Sequence, residues 1–238
     1  FFNIEKSDWD TKILGINFYR INDITLKNPD KLNESLNSFK SRFDIDCLTY
    51  KTDLNNLDLM KDLMRGGFIL AGFPIRLSVD LENMLFKDDE NIRLFKESDL
   101  SHLLQIAKNA FLHTYRYNDK NFDRNKVDEL YMDWIRNSCG GRADAVLIYH
   151  ENDVPKGFIA CNIKGNKGLI DLIAVSEDAR GKGIGKKLVL SSLRWFKDKV
   201  NHVEVNTEAI NYPSLKMYQN NGFKVEWVGA NLDYWFKK

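Results

Sequence analysis

The sequence predicts a mixed α/β fold, in which helices pack against a central sheet. Two apolar stretches at residues 145–149 and 155–163 flank a polar turn and indicate a β-hairpin, and the largely apolar residues 169–175 indicate a third strand. Stretches with helical periodicity lie before and after these strands. Of the 238 residues, 43% are hydrophobic and 12% aromatic, so the chain can bury a core of its own.

The elements of the second half can be assigned in chain order. Residues 92–95 alternate like a strand, and Ser98-Asp99 is typical of a cap for a helix over residues 100–111. A second helix starts near Asp123, and its apolar stripe consists of Val127, Leu130, Tyr131, Trp134 and Ile135. After the three strands, the pattern predicts a helix at 185–198, a strand at 203–207, a helix at 213–220 and closing strands at 223–228 and 232–236. The predicted order is therefore β-α-α-β-β-β-α-β-α-β-β.

The first 90 residues predict a separate α/β domain. Residues 45–52 are typical of a strand, residues 54–64 of a helix, and Gly66-Gly67-Phe68 precedes another strand. A similar succession spans residues 203–223, so the segment is either a degenerate half-copy of the second half or an instance of a common arrangement. The charged residues 85–92 are interpreted as a linker, which gives domains at 1–90 and 91–238, the first with a structural or acceptor-side role.

Composition narrows the class of protein. The 35 Lys and Arg residues nearly balance the 34 Asp and Glu residues, so we expect no nucleic-acid or membrane partner. The three cysteines have neither metal-ligand nor redox spacing, so we expect no metal and a reducing compartment. The sequence shows no apolar run of membrane length and no signal-peptide pattern, and we therefore expect a soluble cytoplasmic protein. The chain begins at Phe1 rather than Met, so the sequence does not establish whether residue 1 is the native N-terminus. The aromatic residues 234–236 suit either a homodimer contact or a core strand.

A glycine-rich loop follows the third strand of the second half. Gly181, Gly183 and Gly185 alternate with other residues, which lets successive backbone N–H groups point into one concavity at the start of a helix. Four cations lie within eight residues: Arg180, Lys182, Lys186 and Lys187. The spacing differs from the dinucleotide G-x-G-x-x-G fingerprint and from the Walker A loop. The loop therefore predicts a site for a ligand such as coenzyme A, which carries a pyrophosphate and a further phosphate.

Residues 172–188 resemble the acyl-CoA motif of the Gcn5-related N-acetyltransferase (GNAT) superfamily, an apolar strand followed by Arg-Gly-x-Gly-x-Gly and a helix. Residues 211–223 resemble its second signature, Asn-x-x-(small)-x-x-x-Tyr-x-x-x-Gly-Phe. A narrower resemblance, to acetyltransferases of TDP-fucosamine, rests on Trp9-Asp10 with Leu14-Gly15, on residues 122–138 and on residues 229–235. The resemblance implies the GNAT fold, acetyl-CoA as co-substrate, and the amine of a nucleotide-linked amino sugar as acceptor.

The resemblance also implies roles for individual residues. Tyr218 corresponds to the proton donor of the departing thiolate, and a backbone N–H within 173–175 corresponds to the oxyanion donor. The implied cofactor-binding residues are Ile173, Ala174, Val175, Arg180, Gly181, Lys182, Gly183, Ile184, Gly185, Lys186 and Asn211. Asn211 suits equally well a helix cap before Pro213.

The residues leave the general base open among three candidates. Asp171 lies inside an apolar strand, where a carboxylate needs a partner or a task; Glu208 ends the next strand, and His113 titrates in the useful range. The acceptor site is expected in the basic and aromatic residues 113–120, which include His113, Tyr115, Arg116 and Tyr117, with Arg116 and Lys120 as ligands of a diphosphate. A solvated loop explains the same segment equally well.

Two other functions fit the sequence. One is a GNAT enzyme that acts on a protein N-terminus, a polyamine or another small amine. The other is a non-catalytic sensor that binds acyl-CoA and regulates a partner.

Overall fold

A computed structural model describes residues 2–25, 32–82, 84 and 86–236, so Leu85 of the predicted linker lies outside the described residues. The strands in these ranges are β1 (Phe2–Lys6), β2 (Phe18–Ile24), β3 (Cys47–Asp53), β4 (Ile69–Gly72), β5 (Pro74–Asp80), β6 (Ile92–Leu94), β7 (Ala145–Glu151), β8 (Val154–Lys164), β9 (Lys167–Val175), β10 (His202–Glu208) and β11 (Lys224–Trp235). The helices are α1 (Asp8–Leu14), α2 (Leu32–Arg42), α3 (Leu57–Arg65), α4 (Leu100–Lys108), α5 (Tyr115–Asn118), α6 (Arg124–Asn137), α7 (Ile184–Phe196) and α8 (Tyr212–Gln219).

All described strands join one mixed sheet in the order β1-β2-β3-β11-β5-β10-β9-β8-β7-β6, with β4 paired to β11 beside this path. The pairs β2–β3 and β9–β10 are parallel, and the other pairs are antiparallel. β5 comes from the first 90 residues, yet it lies between β10 and β11 and is antiparallel to both. The two halves of the chain therefore share one sheet, and the domain boundary near residue 90 stays a prediction.

The prediction of two closing strands is wrong, because residues 224–235 form the single strand β11. Its first part pairs with β5, with an irregular register between Val225 and Trp227, and its second part pairs with β3 and β4. The segment around Gly229 does not turn, because β3 supplies backbone partners for its N–H and C=O groups. A Cβ on Gly229 would lie 2.0 Å from the Trp227 ring, so this glycine makes room for a side chain of its own strand.

Local sequence signals explain other elements. The helix predicted to start near Asp123 is α6, and the Asp123 side chain caps it by accepting a hydrogen bond from the Asn125 N–H at 2.8 Å. Both Asn152 and Asp153 have positive φ, at 50° and 61°, which is the conformation of the tight turn predicted between β7 and β8.

The core lies on both faces of the sheet. Leu147 of β7 packs in the cluster that contains α7, whereas the next residue, Ile148, packs in the cluster that contains α4 and α6. The predicted stripe of α6 belongs to the second cluster, with Trp134 partly buried at its edge. A third cluster joins α2 and α3 to β2, β3 and β11. None of the helices in the described ranges is long and apolar enough to cross a bilayer.

Candidate active site

A cavity of about 930 Å³ opens where β9 and β10 separate. Their parallel pairing ends at Val205 and Ile170, although β9 continues to Val175 and β10 to Glu208. The diverging ends of both strands line the cavity. Backbone groups of β9 that face this gap are thus available to a ligand, as an oxyanion donor would have to be.

The glycine-rich loop forms one end of the cavity, which we call the donor end. Gly181 and Gly183 have φ of 79° and 78°, a left-handed conformation that favours glycine, and an added Cβ at either would meet no atom within 4 Å. At Gly185 glycine is required for a different reason, since a Cβ there would lie 2.7 Å from the Met217 sulfur of α8. The loop therefore presents open backbone next to the N-terminus of α7, a 13-residue helix, and this arrangement fits a pyrophosphate group.

Most residues that the resemblance assigns to the cofactor line this cavity. They are Ile173, Ala174, Val175, Arg180, Gly181, Gly183, Ile184, Gly185, Lys186 and Asn211. Lys182 is outside the lining, and Lys187 forms an ion pair with Asp89 at 2.9 Å, so two of the four predicted cations are directed elsewhere. Asn211 also caps α8, since its side chain accepts a hydrogen bond from the Ser214 N–H at 3.3 Å.

Tyr218 lies on α8 and is 2% exposed, with its ring 5.3 Å from that of Phe223. It lines the cavity, and burial raises the pKa of its phenol above the usual range. The phenol is therefore protonated at neutral pH, as a general acid requires.

The three candidate bases line the same cavity in different environments. Burial raises the pKa of Glu208 to about 7, against the opposing effects of Lys51, a backbone hydrogen bond at Phe73, and Arg116. Asp171 accepts a hydrogen bond from the Trp134 indole at 2.8 Å and forms an ion pair with Arg142 at 3.4 Å. These two partners explain how the Asp171 carboxylate is stabilised in an apolar strand, and no catalytic role is needed to explain it. A carboxyl group with a pKa of about 7, as in Glu208, can accept a proton near neutral pH.

The predicted acceptor segment is only partly at the cavity. His113, Tyr115 and Arg116 line it, but Tyr117 does not, and its ring contacts the Arg124 guanidinium at 5.1 Å. Arg116 is 9% exposed and forms an ion pair with the buried Asp10 at 2.9 Å. The guanidinium thus already has an anionic partner, and its assignment to a diphosphate stays a prediction.

The sequence interpretation missed residues that line the opposite end of the cavity, which we call the acceptor end. They are Arg20, Thr49, Lys51, Pro74 and Asn231. Polar residues at alternate positions 49 and 51 of a predicted strand are the one signal for them, and this signal does not say what the polar face adjoins.

A separate group of potential metal ligands lies at the far end of β10 from Glu208. His202, Glu204 and Glu226 offer ligand atoms within 4.8 Å of one another. His202 Nδ1 lies 2.8 Å from Asp80, and Lys167 forms an ion pair with Glu204 at 2.5 Å. The expectation of a protein without a metal stays untested.

The cavity between two diverging parallel strands, with a glycine-rich loop at a helix N-terminus and a buried tyrosine, has the features expected of an acyl-CoA site. Residues 100–223, just over half of the chain, match the Acetyltransferase (GNAT) family. The chain therefore belongs to this family of acetyltransferases. Enzymes of this family use acetyl-CoA as co-substrate.

Individual proteins similar to this chain include a sequence relative and several solved structures. The chain is 23% identical over 129 residues to the spore coat polysaccharide biosynthesis protein SpsD of Bacillus subtilis (strain 168), and this match covers 54% of the chain and 45% of that protein. A GCN5-related N-acetyltransferase from Sphaerobacter thermophilus has a TM-score of 0.69 at 12% identity, covering 100% of this chain and 76% of the other.

A glucosamine N-acetyltransferase region of a fungal multi-domain β-N-acetylglucosaminidase has a TM-score of 0.67 at 14% identity, covering 98% of this chain and 31% of the other. At these identities the solved structures show the fold alone.

Proposed function

We propose that the protein transfers the acetyl group of acetyl-CoA to the amine of a nucleotide-linked amino sugar of the TDP-4-amino-4,6-dideoxyhexose type. The observation that carries the proposal is one cavity with two unlike ends, an open glycine-rich backbone at one and a set of polar and cationic side chains at the other. Glu208 and Tyr218 both line this cavity. The resemblance to TDP-fucosamine acetyltransferases and the similarity to a polysaccharide biosynthesis protein support the acceptor class.

In the proposed reaction, Glu208 removes a proton from the ammonium group, directly or through water, because only the neutral amine has a lone pair to attack the thioester carbonyl. Backbone N–H groups of β9 within 173–175 stabilise the oxyanion that forms, and such a donor is worth roughly 10²- to 10³-fold in rate. The C–S bond then breaks, Tyr218 donates its proton to the thiolate of coenzyme A, and the nitrogen of the new amide loses its second proton to solvent. The tyrosinate regains a proton from solvent, and Glu208 releases the proton that it took.

We also propose that the enzyme acts in the cytoplasm. Cys47, Cys139 and Cys161 are free thiols, and a reducing compartment would keep them so. Association into a homodimer stays a prediction.

The acceptor class can be tested by following thiol release from acetyl-CoA with a panel of amines. The panel contains TDP- and UDP-linked amino sugars, free amino sugars, polyamines and N-terminal peptides. We expect turnover only with nucleotide-linked amino sugars. Turnover with peptides or polyamines alone would overturn the acceptor class and would leave the family assignment intact.

A further inference from the structure

The acceptor end of the cavity has a floor made by one face of β2, β3 and β11. Arg20 of β2 pairs with Thr49 of β3, and Lys51 of β3 pairs with Asn231 of β11. Thr49 and Lys51 are two residues apart on one strand, so their side chains leave the same face. All four residues line the cavity. The first half of the chain thus supplies three adjacent polar side chains to a cavity whose other end belongs to the second half.

The charges near this floor are three cations, Arg20, Lys51 and Arg116, and two buried carboxylates, Asp10 and Asp233. Asp233 pairs with Thr49 across β11 and β3, and burial raises the pKa of its carboxyl group to about 6. Asp10 is 0% exposed and forms ion pairs with both Arg20, at 2.5 Å, and Arg116, at 2.9 Å. One carboxylate therefore faces two guanidinium groups that stay charged at any ordinary pH. Of these, the Arg20 side chain is 53% exposed and is the one still accessible to a ligand.

Lys51 adds a further cation. It has no carboxylate within 4 Å among the described residues, and its ammonium group lies 4.9 Å from the centre of the Trp227 ring. Burial and the nearby Arg76 lower the pKa of Lys51, against the opposing effect of Glu208. A bound anion would relieve this unfavourable environment of the ammonium group.

We infer that Arg20, Thr49 and Lys51 bind the diphosphate group of the acceptor. The inference rests on the proposed function and assigns the recognition of the nucleotide-linked substrate to the first half of the chain. Arg20 lies beside Thr49 across the β2–β3 pair, and Lys51 lies about 7 Å from Thr49 along β3. Two cations with a hydroxyl group between them suit two linked phosphates. Arg116, which the sequence favoured for this task, instead orients Asp10 and through it Arg20.

The binding test uses the full chain with saturating coenzyme A, so that the donor end is occupied and cannot take up a second phosphate ligand. Calorimetric titrations with inorganic pyrophosphate, thymidine diphosphate, thymidine and glucuronate separate phosphate recognition from base or carboxylate recognition. We expect the two phosphate compounds to bind and thymidine and glucuronate to bind at least about 10-fold more weakly. Binding of glucuronate in preference to pyrophosphate would overturn the inference.

Variants assign the binding to residues. Lys51→Met and Arg20→Met should each weaken thymidine diphosphate at least about 10-fold, whereas Lys51→Arg should retain most of the affinity. Arg65→Met is the control, because Arg65 also belongs to the first half of the chain, pairs with Asp62 at 3.4 Å and does not line the cavity. Equal weakening by Arg65→Met, or unchanged binding in both the Lys51 and Arg20 variants, would overturn the inference.

The same variants separate this inference from the proposed function. If nucleotide-linked amino sugars are acetylated and Lys51→Met leaves their KM unchanged, the inference fails and the proposed function stands. If diphosphates bind through Arg20 and Lys51 but no nucleotide-linked amino sugar is acetylated, the anion site stands and the proposed function fails.

Discussion

The two ends of the cavity are built by different means. The donor end comes from two short stretches of sequence around Val175–Lys186 and Val205–Tyr218, and its key contacts are backbone groups exposed by glycine. The acceptor end collects single side chains from β2, β3, β11 and the segment before α6. A site made of backbone leaves a compact motif in the sequence, whereas a site made of side chains from distant strands leaves none.

The largest effect is expected at Tyr218, in the second stretch of the donor end. Tyr218→Phe should lower kcat by about 10² or more, because the thiolate then leaves without its proton donor. Steady-state kinetics should show the KM for acetyl-CoA nearly unchanged. Tyr117→Phe is the matched control, since Tyr117 lies outside the cavity lining and should keep full activity. A loss below about 3-fold in Tyr218→Phe would contradict a role as general acid.

Glu208 should set the pH dependence of the reaction. With a pKa of about 7, its active carboxylate form becomes populated as pH rises, so kcat/KM should increase through pH 7 and then level off. Glu208→Gln should remove this limb and lower the rate at pH 8 by about 10². His113→Gln changes another of the three candidate bases and should keep the rise of kcat/KM through pH 7. If the His113→Gln variant lost this rise, His113 would be the base.

The same pKa predicts an effect on stability. The ordinary pKa of Glu208 is 4.5 and the folded value is about 7, so stability falls as pH rises from about 4.5 to about 7, and the loss levels off above that pH. Glu208→Gln should therefore stabilise the protein at pH 8 by about 1 kcal/mol, allowing for solvent screening, and have little effect near pH 4.5. Thermal unfolding at both pH values tests this; equal shifts of Tm at the two values would contradict it.

The donor end should be sensitive to its backbone conformation. Gly183→Ala places a side chain at φ of 78° and should weaken acetyl-CoA binding by about 10-fold, because the loop must distort. Gly165→Ala is a matched control with φ of 62° in the turn between β8 and β9, away from the cavity. Gly165→Ala should lower the free energy of unfolding by a similar amount and leave acetyl-CoA binding unchanged. Equal affinities of the two variants, measured by calorimetry, would contradict a backbone cradle.

Asp171 should show the smallest effect of the candidate bases. Asp171→Asn can still accept the hydrogen bond from Trp134, so we expect activity within about 5-fold of the unchanged protein. A rate loss of about 10² with an intact Tm would instead make Asp171 a catalytic residue.

Local patterns predicted much of the second half. The α6 stripe, the start of α6 near Asp123 and the turn at Asn152-Asp153 depend on neighbours in sequence, and they occur where the sequence placed them. The closing strands were misassigned because Gly229 resembles a break, while pairing with β3 keeps the strand continuous. Nothing in residues 74–80 indicates that they lie between β10 and β11.

The sequence by itself determined the mixed α/β class, the family and the donor loop. Glycine spacing and hydrophobic periodicity extend over a few consecutive residues, so they can be recognised without knowledge of the tertiary structure. Only the tertiary structure placed β3 beneath the cavity, paired Arg116 with Asp10 and set the pKa of Glu208. Charge pairing and desolvation depend on which distant side chains become neighbours. That arrangement is decided by strand order, and no local pattern encodes it.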